Sequence, residues 1–153
     1  ALESLKILGT ELKLLLKEKN PAPAAREKLL YASMLAGIVI AHTGTTIIHA
    51  MGYPLTYYKN IDHGRANGLL LHEYLKFIND SNRKVSRILD SMSMTIDGFG
   101  ETIAELLGER ESLTDEELKL FTDTAKSAEK NILNTALPPT GDDIKNIYIK
   151  SFT

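Results

Sequence analysis

The chain contains no cysteine, and its positive and negative charges nearly balance. Without cysteine there are no disulfides and no thiolate metal sites, so any metal ion must be held by histidine or carboxylate side chains. The absence of cysteine also fits a cytoplasmic protein. With a net charge of −2 and a pI near 6.1, the chain has no excess of basic residues for nucleic acid or anionic lipid. We therefore expect no nucleic-acid partner.

Long apolar runs and strand patterns are also missing. The most apolar stretch, from Met34 to Met51, is interrupted by histidine and threonine and falls short of the ~20 residues that cross a membrane. We therefore expect no membrane span, and predict instead a helix buried at the centre of a bundle. Since helical periodicity covers most of the 153 residues, the predicted fold class is all-α, a single helical bundle.

Prolines and capping signatures divide this helical pattern into segments. Proline ends the first helix at 20–23 and the second at Pro54, because it lacks an amide hydrogen. Thr114 with Glu117 forms a predicted capping box, and Thr140 with Asp143 a second helix start. The predicted helices are 2–15, 24–53, 64–79, 83–91 and 97–107, one that begins after Thr114 and has Leu118, Phe121, Ala125, Ala128 and Ile132 facing inward, and a last one containing Ile144, Ile147 and Tyr148.

The N-terminus begins inside an amphipathic pattern, with leucines at helical spacing from Leu2 onward and no preceding cap. A native chain rarely starts in this way. We therefore expect residues 1–153 to be one helical domain that is a fragment of a larger protein.

A polar stripe occupies one sector of the predicted helix 24–53. It consists of His42, Thr45, Thr46, His49 and Tyr53. Since an unpaired buried polar group costs roughly 1–3 kcal/mol, the stripe indicates a cleft wall. For His42 alone, an ordinary core histidine is the competing interpretation, and His72 is predicted to lie on the surface.

Two histidines, His49 and His63, stand fourteen positions apart (63 − 49 = 14). The first closes one apolar helical run and the second opens another, so a short bend would bring both imidazoles to one metal ion. The spacing alone leaves open whether they share a metal ion or are structural.

The residues around these histidines form a recognisable motif. Its parts are Tyr31-Ala-Ser-Met-Leu-Ala-Gly37, Gly44, His49-Ala-Met-Gly-Tyr-Pro-Leu55 and His63-Gly-Arg-Ala-Asn-Gly-Leu-Leu-Leu71, followed by Leu113–Leu118 and Pro139–Ile144. This motif resembles the metal-binding region of the iron-containing (group III) alcohol dehydrogenases, and the resemblance covers nearly the whole chain.

The resemblance implies a dehydroquinate-synthase-like C-terminal α domain whose partner, an N-terminal Rossmann-like dinucleotide-binding domain, is missing here. In this family an Asp-x-x-x-His pair and two later histidines bind the metal between the domains. His49 and His63 match the later two, and the Asp and His of the other half-site are absent from this chain. The full-length parent would use Fe²⁺, or Zn²⁺ or Ni²⁺, together with NAD(P), and this chain would hold no cofactor-binding residue.

The implied reaction interconverts a small alcohol and an aldehyde or ketone by metal-assisted hydride transfer. Tyr53 stands where many relatives have a histidine assigned to proton relay, so it is the catalytic candidate. His42, Thr45 and Thr46 are expected to contact and orient the ligands. The sequence from Asn134 replaces the family's Asn-Pro-Arg, which puts contacts there in doubt. The chain alone is expected to be inactive.

The sequence is also compatible with two alternatives to an iron-dependent alcohol dehydrogenase domain. One is a non-enzymatic helical module that uses its small residues for packing or dimerisation and has structural histidines. The other is a domain of a zinc-dependent, glycerol-type polyol dehydrogenase. Homo-oligomer formation is compatible with all three interpretations.

Overall fold

The structure is a computed structural model that describes residues 1–18, 20–79 and 83–152, without the side chain of Arg83. Every regular element in these ranges is an α-helix, and they contain no β-strand. The helices are α1 (Leu2–Leu15), α2 (Pro23–Thr43), α3 (Ile47–Lys59), α4 (His63–Asn79), α5 (Arg83–Met92), α6 (Ile96–Leu107), α7 (Asp115–Lys126), α8 (Glu129–Leu133) and α9 (Gly141–Phe152). The predicted all-α class is confirmed.

The helices form two compact units, one from residues 1–44 and 83–106 and the other from residues 45–82 and 107–153. In the first unit, α1 packs against α2 and α5. A Cβ atom on Gly9 would overlap the backbone of Met92, so a larger residue would force α1 and α5 apart. The buried Ser4 hydroxyl donates to the Ala32 carbonyl over 2.8 Å and ties α1 to α2.

In the second unit, α3 packs against α4, α7 and α8, while α9 packs against α4 and α7. Its fully buried large side chains are those of Ile47, Met51, Leu55, Leu70, Phe121, Ile144 and Tyr148. The Tyr148 hydroxyl donates to the Met51 carbonyl over 2.6 Å, so α9 is joined to α3 by a buried hydrogen bond. This core holds α3 and α4, the helices on which the two candidate metal-binding histidines lie.

The predicted single helix 24–53 is wrong, because the chain breaks between α2 and α3. Gly44 adopts a φ of 71°, in a region that favours glycine, and it ends α2. Pro54 does not end the next helix. It lies buried inside α3, which continues to Lys59, so tertiary packing outweighs the local cost of an interior proline, roughly 3 kcal/mol.

Both predicted helix starts near the C-terminus are confirmed. The Thr114 amide donates to the Glu117 carboxylate and the Glu117 amide donates to the Thr114 hydroxyl. Thr140 and Asp143 form the same reciprocal pair before α9. The extension of the helix after Thr114 as far as Ile132 is wrong, because α7 ends at Lys126 and a separate short helix follows.

No single helix within the described residues is long and apolar enough to cross a membrane. Helices α2 and α3 taken together reach that length and composition, but the break at residues 44–46 separates them.

Candidate metal centre

His49 and His63 lie close together in the second unit. His49 is in the first turn of α3 and His63 is the first residue of α4. Asn60, in the left-handed conformation, ends α3, and three residues later His63 begins α4, which packs against α3. The ring centroids are 5.5 Å apart with an interplanar angle of 61°. Imidazoles that bind one ion at about 2.1 Å, with roughly 100° between them, place their ring centres about 5 Å apart, so the geometry suits a shared ion.

Two polar side chains contact the His63 ring. The Asn67 amide nitrogen lies 3.1 Å from Nε2, at i+4 on the same helix. The Thr56 hydroxyl oxygen lies 3.4 Å from Nδ1 and donates to the Gly52 carbonyl over 3.1 Å. Both ring nitrogens of His63 are therefore within reach of a specific partner.

Tyr53, the catalytic candidate, stacks on His63. The ring centroids are 5.1 Å apart and the planes differ by 11°. Tyr53 follows His49 by one helical turn and is 55% exposed, so its phenol stands beside the histidine pair and is open to solvent. Its aromatic ring therefore covers one face of His63 at a position that solvent reaches.

The electrostatics of the pair favour neutral imidazole. Burial, and to a lesser degree the charge of His63, lower the pKa of His49 from its ordinary value of 6.5. Since a metal ligand must be deprotonated, a lowered pKa leaves more of the imidazole in the form that binds metal near neutral pH.

The donor set fits part of a metal site. Imidazole suits Fe²⁺, Zn²⁺ and Ni²⁺ alike. However, the described ranges contain no group of three or more histidine, aspartate or glutamate side chains that could hold an ion. Within the described residues, the two histidines therefore supply at most two ligands of a metal site.

The three residues expected to orient the ligands are placed differently. His42 is exposed on α2, in the first unit, with its Nδ1 atom 2.7 Å from the Ile38 carbonyl. Thr45 and Thr46 precede α3, and their hydrogen bonds join them to Asn131 and Tyr74. The prediction that five polar residues form a stripe on one helix is therefore wrong. That His42, Thr45 and Thr46 orient the metal ligands remains a prediction. His72, expected on the surface, has a side chain only 18% exposed.

Residues 131–135 hold the start of the histidine-bearing helix, a role that the sequence did not reveal. The Asn131 amide donates to the Thr45 hydroxyl over 2.9 Å and to the Thr46 carbonyl over 3.1 Å. The Thr135 hydroxyl accepts the first amide of α3, that of Ile47, over 3.1 Å. The segment from Asn134, which replaces the family's Asn-Pro-Arg, thus lies where α3 begins. No local spacing could have shown contacts between residues so far apart in sequence.

Comparison with known proteins identifies the class. The model of the Fe-containing alcohol dehydrogenase family, C-terminal part, matches residues 1–152. A solved iron-containing alcohol dehydrogenase from Thermotoga maritima superposes with a TM-score of 0.86 at 33% identity, covering 99% of this chain and 41% of that one. A second solved iron-containing alcohol dehydrogenase has the same TM-score and identity, with 40% of its chain covered.

Two curated relatives match over part of the chain. The bifunctional aldehyde-alcohol dehydrogenase AdhE of Escherichia coli K12 is 33% identical over 82 residues, which is 54% of this chain and 9% of that protein. The aldehyde-alcohol dehydrogenase of Clostridium acetobutylicum is 35% identical over 77 residues, 50% of this chain and 9% of that protein. This chain belongs to the Fe-containing alcohol dehydrogenase family and matches its C-terminal domain, as the sequence resemblance predicted.

Proposed function

We propose that His49 and His63 are two ligands of a divalent metal site in an iron-dependent alcohol dehydrogenase. The observation that most directly supports this proposal is that the two ring centroids lie 5.5 Å apart in a chain of this family. Imidazole donors with a lowered pKa at His49 support this role. A purely structural His49 gains nothing from lying where burial and the charge of His63 raise the cost of protonating it.

The rest of the site would belong to a longer protein. This chain spans 41% of the solved Thermotoga maritima relative, and its described residues supply no third ligand. We propose that an N-terminal dinucleotide-binding domain provides an aspartate, a further histidine and the NAD(P) site. The substrate would be a small alcohol or aldehyde that enters beside the exposed face of Tyr53.

The residues of this chain would then have separate tasks. His49 and His63 bind the ion through ring nitrogens. Tyr53, stacked on His63 with its phenol open to solvent, would exchange a proton with the substrate hydroxyl or with water. When bound, the metal would supply Lewis-acid chemistry that makes an alcohol easier to deprotonate, and NAD(P) would supply the hydride acceptor.

The test uses the longer protein that contains this chain. His49→Ala and His63→Ala should each remove bound metal, measured by elemental analysis, and abolish alcohol-dependent reduction of NAD(P). His72→Gln, which changes another histidine of α4, is the matched control and should retain the metal. Full metal content and turnover in either alanine variant would refute the assignment. Residues 1–153 alone should show no such activity, because two ligands and the nucleotide site are missing.

A further inference from the structure

The hydrogen bonds around His63 define which ring nitrogen carries the proton. A hydroxyl has a single proton to donate. The Thr56 hydroxyl gives its proton to the Gly52 carbonyl over 3.1 Å, so it turns a lone pair toward the ring. The Thr56 oxygen, 3.4 Å from Nδ1, can therefore only accept from this atom.

The other ring nitrogen faces a donor. The Asn67 amide nitrogen lies 3.1 Å from Nε2, and an NH₂ group can only donate. Both neighbours are satisfied by the same state of the ring, in which Nδ1 carries the proton and the lone pair of Nε2 accepts from the Asn67 amide.

We propose that Thr56 is a positioning residue that holds His63 in the Nδ1–H tautomer and so selects Nε2 as its metal-binding atom, whose lone pair a metal ion would take over from the Asn67 amide. The inference deepens the proposed function and rests on it for the identity of the ligand that Nε2 receives. A histidine ligand commonly donates its second ring nitrogen to a carbonyl, carboxylate or water. Here the partner is a hydroxyl, which the Gly52 carbonyl in turn fixes in direction.

The opposite tautomer would break two contacts together. With the proton on Nε2, the ring would meet the NH₂ group of Asn67, and Thr56 would have to release the Gly52 carbonyl to donate to Nδ1. Rotating the Asn67 amide would remove its conflict with a proton on Nε2, but Thr56 would still have to release the Gly52 carbonyl. The Asn67 side-chain oxygen is buried without a hydrogen-bond partner and lies against Gly52, where a Cβ atom would overlap it.

Nitrogen NMR reads the tautomer without enzyme activity and without titrating the ring. Two-bond ¹H–¹⁵N correlation spectra of this chain at about pH 8, where ordinary histidine is neutral, separate protonated from unprotonated ring nitrogens. His63 in the wild-type chain should be the Nδ1–H tautomer. Thr56→Val keeps the shape of the side chain but removes the hydroxyl, and should shift His63 to the Nε2–H tautomer, while Thr56→Ser should preserve the wild-type state.

Two results would overturn the proposal: an Nε2–H tautomer in the wild-type chain, or an unchanged Nδ1–H tautomer in folded Thr56→Val. The wild-type spectrum tests the proposed tautomer even when the valine variant does not fold.

Zn²⁺ affinity, measured by calorimetry, should fall about 10-fold or more in Thr56→Val and recover in Thr56→Ser. If His63 has the expected tautomer but His63→Ala in the longer protein keeps its full metal content, the proposed function fails alone. If Zn²⁺ binds at His49 and His63 while the tautomer is independent of Thr56, only the present inference fails.

Discussion

The side-chain oxygen of Asn67 occupies the space that a Cβ atom on Gly52 would need. Helices α3 and α4 therefore approach closely at this point, next to the His63 ring that Asn67 contacts. The close approach links the packing of the two helices to the arrangement of the histidine pair.

Gly52→Ala should lower the free energy of unfolding by about 1–3 kcal/mol, because the methyl group must displace a buried amide. Gly64→Ala is the matched control, since a Cβ atom there meets nothing within 4 Å. It should leave stability unchanged or raise it by up to about 1 kcal/mol. Urea unfolding of both variants makes the comparison. Equal stability of the two would contradict the close approach of α3 and α4.

The stability of the chain should depend on the protonation of His49. Its pKa in the folded chain lies below the ordinary value of 6.5, so the unfolded chain binds more protons between those two values. Stability is therefore lost as the pH falls through 6.5 toward the folded pKa, and His49 contributes no pH dependence above about pH 7.5, where both states are neutral.

Urea unfolding at pH 7.5 and pH 5.5 measures this loss. His49→Gln should reduce the loss relative to the wild-type chain. His63→Gln should reduce it by less, because the charge of His63 is a smaller cause of the shift than burial. An identical loss in the wild-type chain and in His49→Gln would show that His49 does not titrate as described.

Tyr148→Phe should destabilise the second unit by about 1–3 kcal/mol, because it leaves the Met51 carbonyl without the donor that now lies 2.6 Å away. Burial raises the pKa of Tyr148 above its usual range, so the phenol remains a donor at neutral pH. Tyr57→Phe, at a residue 81% exposed, should have no measurable effect in the same thermal unfolding experiment. A wild-type melting temperature in Tyr148→Phe would refute the role of this bond.

Asn131→Ala should loosen the start of α3. It removes donors to the Thr45 hydroxyl and the Thr46 carbonyl and should cost about 1–2 kcal/mol. Amide hydrogen exchange should accelerate in the first turn of α3, whereas exchange in α9 should change only with global stability. Asn146→Ala, at an exposed position of α9, is the control. Unchanged exchange at Ile47 in Asn131→Ala would contradict the anchoring role.

Local signals predicted the parts of the fold whose causes are local. The capping boxes at Thr114 and Thr140 depend on residues three positions apart, and the apolar period of α4 lies within its own sequence. The break between α2 and α3 was missed because the start of α3 is held by Asn131, 86 positions from Thr45. The prediction that Pro54 ends a helix failed because Pro54 is fully buried inside α3, and burial of this kind cannot be read from the local sequence.

Parts of the candidate metal site could likewise be predicted from local sequence, whereas other parts could not. The sequence predicted that a bend between two helices could bring His49 and His63 together, and their rings do lie 5.5 Å apart. The prediction that His49 closes a helix is wrong, because it lies in the first turn of α3. The i,i+4 spacing of His63 and Asn67 was a readable signal for that contact. Thr56 reaches His63 only because of how the chain turns at residues 60–62, and this path could not be read from periodicity.

Zn²⁺ titration of this chain, followed at the ring nitrogens of all four histidines, is the sharpest test of the proposed metal site. His49 and His63 should respond together with one dissociation constant, tighter than that of exposed His42. His63→Ala should weaken binding at His49 by about 10-fold or more. Separate constants for His49 and His63, no tighter than that of His42 and each indifferent to loss of the other histidine, would show that the pair is not a metal site.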